Sequence, residues 1–112
     1  MLPKTNRLQK KKDIDRVFQQ GKGAKEDFLI LKTNKNNLKE SRFCFIVSNK
    51  VSNKATLRNK IKRRLRELIQ KRLKLIQPGT DNILIALSGL ENKDFWEMEE
   101  IIDVLFKKAK LI

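Results

Sequence analysis

Segment 57–74 constrains this chain more than any other. Leu57, Ile61, Leu65, Leu68, Leu73 and Ile76 recur at the spacing of one helical face, which predicts a helix packed on a core along one side. Between them stand Arg58, Lys60, Lys62, Arg63, Arg64, Arg66, Lys71, Arg72 and Lys74, with Glu67 as the only acid. Like charges three and four residues apart destabilise an isolated helix, and few acids are available to offset them. Any fold that contains this helix must bury one face and leave a crowded cationic face outside. A polyanion is the partner that relieves such crowding, so the pattern points to nucleic acid rather than a passive solvated surface.

The rest of the composition narrows the choice. The chain has 112 residues, with 27 Lys and Arg against 13 acids and a formal charge of +14. That length suits a single domain, 1–112, with no linker that would split it and with a basic N-terminal arm, 1–11. The charge fits a phosphate-binding protein, and by itself it would also fit an anionic membrane surface. No apolar run approaches the ~18 residues of a membrane span, and the basic N-terminus lacks the apolar stretch of a secretory signal. A cytoplasmic protein with no membrane partner is therefore expected. Cys44 is the only cysteine, flanked by Phe43, Phe45 and Ile46, and reads as a small core residue in a reducing compartment. There is no histidine, which removes the commonest general base and metal ligand.

Along the chain, Pro3 and Asn6 argue against regular structure at the start. A short helix is expected over 12–20, with Ile14, Val17 and Phe18 on one face and Gly21 as a left-handed stop. Strands are expected over 27–33 and 42–48, joined by a polar loop as an antiparallel hairpin, with a possible extra strand near 22–26. Thr56 is the expected N-cap of the basic helix, which must stop before Pro78-Gly79. Residues 82–87 form a continuously apolar and hence central strand. Asp94 opens a last helix, with Glu97 placed for a capping box. The resulting order is αβββαβα, an α/β (α+β) two-layer sandwich. Charge along it is polarised: residues 50–74 hold eleven cations and one acid, whereas the last helix carries Glu97, Glu99, Glu100 and Asp103.

Within the basic helix, Arg58, Lys62 and Arg66 lie on one line, with Asn59 and Arg63 beside them. Arginine forks bind phosphate in pairs of hydrogen bonds, and asparagine can read a base edge or a 2′-hydroxyl. Phe18, Phe28, Phe43 and Phe45 precede the helix; in apolar strands such residues are core, whereas Phe18 on a short helix can leave its edge exposed for stacking. A self-contained metal-dependent nuclease would need clustered carboxylates, and Asp27, Glu40, Asp81 and Asp94 form no close motif.

The string 58–67, Arg-Asn-Lys-Ile-Lys-Arg-Arg-Leu-Arg-Glu, resembles the helix signature of the protein subunit of bacterial ribonuclease P. Asn6-Arg7-Leu8, the helix closing at Gly21, and the strand 43–50 ending in Ser48-Asn49-Lys50 are similar to other parts of that family, so the resemblance spans essentially the whole chain. It implies a sandwich with an unusual left-handed βαβ crossover, against the usual rule. It also implies a function that charge alone does not: a protein that binds a catalytic RNA and the 5′ leader of precursor tRNA, while the RNA, with Mg²⁺ held by the RNA, removes the leader. By position, Arg58, Asn59, Lys60, Lys62, Arg63 and Arg66 should face the catalytic RNA. Phe18, Leu31 and Ser48 should floor a leader cleft between the sheet and the basic helix, with Lys50 at its edge and Lys4 and Arg7 in the basic arm. No protein side chain should be catalytic and none should bind metal. Lys60 stands where the family usually has arginine, Ile14 and Leu31 where it often has aromatics, and Asn49 where lysine is frequent. The other function open to such a chain is a ribosomal or other small structural RNA-binding protein.

Overall fold

Four strands form one sheet in the order β1-β2-β4-β3, where β1 is Lys22–Glu26, β2 Leu29–Lys35, β3 Arg42–Ile46 and β4 Thr80–Ala86. Three helices complete the structure: α1 Lys11–Gln20, α2 Ala55–Arg72 and α3 Phe95–Lys108. The computed structural model describes residues 2–112.

The expected order of elements is found, and the pairing differs from expectation in one respect. The hairpin is β1–β2, closed by Asp27 and Phe28, with Glu26 opposite Leu29. Asp27 takes a left-handed backbone (φ 50°), a conformation that aspartate tolerates better than most residues. That turn takes the first two residues of the strand expected over 27–33, which begins at Leu29 instead, and β1 is the extra strand expected near 22–26. β2 and β3 do not pair, because β4 lies between them, antiparallel to β2 and parallel to β3. The central place of β4 follows from its composition: Ile83, Leu84 and Ala86 are buried, on both faces of the sheet. The β3–α2–β4 unit thus joins two parallel neighbours through the basic helix.

Strand alternation assigns the two faces. Leu29, Leu31, Phe43, Leu84 and Ala86 face α2 and α3 and build the main core with Ile61, Leu65, Leu68, Ile69, Met98, Ile102 and Leu105. The opposite face carries a small cluster of Leu8, Val17 and Ile83, over which α1 packs. The architecture is therefore a two-layer sandwich with one short helix on the outer face of its sheet.

Helix ends are set in different ways. α3 has the expected capping box: Glu97 N–H donates to Asp94 Oδ1 (2.8 Å), and Asp94 N–H to Glu97 Oε1 (3.1 Å). α2 starts at Ala55 after Lys54, which gives no side-chain cap, so Thr56 is inside the helix. Gly21 ends α1 with φ −77°, not left-handed. Glycine is needed there for space, since a Cβ would collide with Val17 O and stand 2.8 Å from Thr33 O. The N-terminal arm is more ordered than its composition suggests. It forms a 3₁₀ turn at Lys4–Asn6, and Leu2 and Leu8 are buried on either side.

Candidate nucleic-acid interface

Ile61, Leu65, Leu68 and Ile69 bury one face of α2, and this fixes where its cations point. Asn59, Lys60 and Arg63 are exposed; Arg58, Lys62, Arg64 and Arg66 are half-buried at the flanks. Among the described residues none of these six cations is within ion-pair distance of a carboxylate. Arg58 uses Nη1 to hold Ser52 O (2.9 Å), which braces the loop before the helix. Arg72 is the exception. It donates to Asp103 and Glu99 of α3 and to Leu68 O, and these carboxylates push its pKa further up. The acidic helix thus neutralises Arg72 and leaves those six cations open.

Lys62 and Arg66 converge with Arg7 on a groove of about 360 Å³ along the outer edge of β3. The arm is fixed to that edge: Leu8 N–H donates to Phe43 O (2.9 Å), and Asn6 Nδ2 to Ser41 O (2.8 Å). Arg7 Nε donates to Leu2 O (2.9 Å), which leaves its terminal nitrogens for other partners. Cys44 lines the same groove; burial pushes its thiol pKa up, against the pull of the Lys62 charge. Lys4 is exposed in the 3₁₀ turn.

The cleft residues are not brought together as expected. Leu31 has no exposed surface and belongs to the core beneath α2 and α3. Leu31 therefore cannot floor a cleft; the groove that α2 forms with the sheet runs along β3 and is lined by Phe43, Phe45, Lys62 and Arg66. Phe18, 44% exposed, is on α1, over the other face of the sheet. That outer face carries Ile30 and Lys32 of β2, Ile46 of β3 and Ile85 of β4, all half-buried. Alternation alone would have found them: if Leu29 and Leu31 point inward, Ile30 and Lys32 point out. Ser48 and Lys50 are exposed beyond the end of β3, where Lys50 N–H donates to Ser48 Oγ (3.3 Å).

Carboxylates in this region serve structure. Asp81 receives Arg42 Nε (2.8 Å) and Nη2 (2.7 Å) and Asn36 Nδ2 (2.9 Å); Arg42 Nη1 also reaches Asp13 of α1 at 3.3 Å. Asp94 caps α3. Among the described residues no three His, Cys, Asp or Glu side chains converge as a metal site. No helix is long and apolar enough to cross a membrane.

An unpaired cationic helix beside a fixed basic arm, on a sheet of this order, has close counterparts. The family model Ribonuclease P matches residues 2–110. The chain belongs to the ribonuclease P protein family. A ribonuclease P protein component of Synechocystis is 36% identical, over 99% of this chain and 90% of its own length. One from Thermotoga maritima is 32% identical over 93% of this chain and 92% of its own. A solved Staphylococcus aureus RNase P protein mutant superimposes with a TM-score of 0.91 at 27% identity, covering 97% of this chain and 92% of that one. The Thermotoga maritima RNase P protein gives 0.81 at 30% identity, covering 90% and 96%. The helix on which the sequence suggested a family signature is α2, and the segment Asn6-Arg7-Leu8 is pinned to β3.

Proposed function

We propose that this ribonuclease P protein component binds the catalytic RNA and the 5′ leader of precursor tRNA, and that the RNA cleaves the leader off. The observation that carries this reading is the convergence of Arg7, Lys62 and Arg66 on an open groove, with no carboxylate among the described residues paired to them. Three cations fixed by helix and strand, not by mobile loops, suit packed phosphates whose neutralisation releases counterions. Arg58, Asn59, Lys60 and Arg63 extend the same surface along α2 and would face the catalytic RNA with them. Lys4 would add a phosphate contact from the arm.

The leader would lie on the outer face of the sheet beside α1. Phe18 offers a stacking edge, Ile30, Ile46 and Ile85 an aliphatic floor, and Lys32 a phosphate contact. Ser48 and Lys50, beyond β3, would meet the strand as it passes towards α2. The protein's part is positional and electrostatic. Among the described residues no carboxylates cluster in a way suited to Mg²⁺, whereas the RNA phosphates drawn to the cationic face are hard oxygen ligands of the kind that ion prefers. The Mg²⁺ of the reaction is assigned to the RNA on that ground.

Reconstitution tests the reading. Adding the protein to a cognate catalytic RNA at low Mg²⁺ should stimulate leader removal, and the protein without RNA should not cleave. RNA binding with no stimulation of cleavage would make it a structural RNA-binding protein instead.

A further inference from the structure

Thr33 and Asn82 stand opposite each other in the β2–β4 pair, and their side-chain oxygens, Thr33 Oγ1 and Asn82 Oδ1, are both buried without a hydrogen-bond partner. Native folds rarely leave such oxygens unpaired, and of the two residues Thr33 lies in a cavity wall, where its hydroxyl can meet a ligand N–H or O–H. Thr33 lines a cavity of about 520 Å³ at the end of the sheet, where Gln20 at the end of α1 meets the chain that follows α2 and α3; Phe18 is not among its lining residues. That volume is within the usual range of small-molecule sites. Register places Lys22 directly across from Thr33, and Lys35 two residues on, so all three share one face. Lys110 enters from the chain beyond α3, held in a left-handed backbone (φ 59°). Pro78, Ala109 and Leu111 supply apolar wall, and no carboxylate lines the cavity.

The geometry points to a second nucleotide site here, one that takes a nucleoside monophosphate unit. Three lysines in a lining that holds no carboxylate match a phosphate. The proline, alanine and leucine surfaces match the face of a heterocycle. The unpaired Thr33 hydroxyl, in the cavity wall, matches a ribose hydroxyl or an exocyclic amine. The unit is either one nucleotide of a bound RNA or a free mononucleotide. The site does not depend on the groove beside α2.

The test is a titration of the full chain with adenosine 5′-monophosphate, followed by amide NMR. Saturable shifts are expected at Thr33, Lys35, Gly79 and Lys110, with adenosine alone and inorganic phosphate alone each binding about tenfold more weakly. The double variant Lys35→Gln/Lys110→Gln alters exposed side chains, so its spectrum elsewhere should stay native while its affinity falls about tenfold. Thr33→Val should also weaken binding. Adding a cognate catalytic RNA with precursor tRNA separates the sources: displacement of the mononucleotide assigns the site to an RNA nucleotide, and retention assigns it to the free one. The proposal is overturned by an absence of saturable shifts, by equal affinity for inorganic phosphate, by shifts confined to Arg7, Lys62 and Arg66, or by undiminished affinity in the double variant.

Discussion

Arg72 on α2 and Asp103 on α3 are joined by two hydrogen bonds, Nε to Oδ1 at 2.6 Å and Nη2 to Oδ2 at 3.1 Å. Glu99 takes a third from Nη2 at 2.8 Å. One cation of the basic helix is thereby taken out of the field that the others project. The acids of α3 neutralise Arg72 while Arg58, Lys62 and Arg66 stay open, and the polarity of the molecule follows from that division. Arg72→Ala should therefore act on stability and not on RNA. Arg72 is buried but its partner Asp103 is 39% exposed, so solvent screens the pair and urea unfolding should show a loss of about 1–2 kcal/mol, with the salt dependence of RNA affinity unchanged.

Arg66→Ala should behave in the opposite way. Arg66 lines the groove with Lys62 and Arg7 and has no ion-pair partner among the described residues. Its loss should leave the unfolding midpoint within about 0.5 kcal/mol of the parent. Affinity for the catalytic RNA should fall by about 1–3 kcal/mol, and the slope of log K against log salt should become shallower by about one. An unchanged slope would remove Arg66 from the interface.

Phe18 and Leu31 separate the two faces of the sheet. Leu31 is fully buried, so Leu31→Ala should cost about 2–5 kcal/mol of stability through the cavity it leaves. Phe18 is 44% exposed. Phe18→Ala should cost much less stability and should weaken leader binding by about 1–3 kcal/mol, the worth of one stacked base. Fluorescence anisotropy with a leader oligonucleotide on the assembled complex reads the difference.

The sequence made the order of elements legible because each carries its own period: Ile61, Leu65 and Leu68 on α2, Met98, Ile102 and Leu105 on α3, and an unbroken apolar run in β4. It did not show that β4 separates β2 from β3, because a polar loop between two strands looks the same whether it closes a hairpin or carries the chain past an inserted neighbour. The cations of α2 were legible for the same reason as its core stripe. The place of Leu31 was not. Leu29, Ile30 and Leu31 are alike in polarity, so only the register against β4 decides which of them meets the core. Thr33 and Asn82 gave no signal at all, since pairing across strands is a fact of register alone.

Cys44 gives a pH-dependent test. Burial pushes its thiol pKa up, so at a given pH the folded protein holds less thiolate than the unfolded chain. Alkylation, which needs thiolate, should be slower in the native state than in denaturant across the alkaline range. The sign for stability follows: above the unfolded thiol's pKa of about 8.5 the unfolded chain has released a proton that the native state retains, so stability falls as pH rises. Unfolding midpoints compared between the parent and Cys44→Ala at rising pH isolate this contribution.

Arg42 gives the sharpest structural prediction, because it ties three elements together. Its side chain on β3 holds Asp81 of β4 by two hydrogen bonds and reaches Asp13 of α1 at 3.3 Å. Both carboxylates push its pKa up, Asp81 more strongly, so its charge persists through the accessible alkaline range. Arg42→Ala leaves Asp81 buried with only Asn36 to compensate it, and should cost about 3–5 kcal/mol. Asp13→Asn removes only the longer contact and should cost less than about 1 kcal/mol. α1 has few other polar ties to the sheet, so amide exchange in Asp13→Asn should accelerate in α1 first, while β2 and β4 keep the protection of the parent. Equal acceleration across α1 and the central strands would mean that Asp13 supports the whole fold and not the seating of one helix.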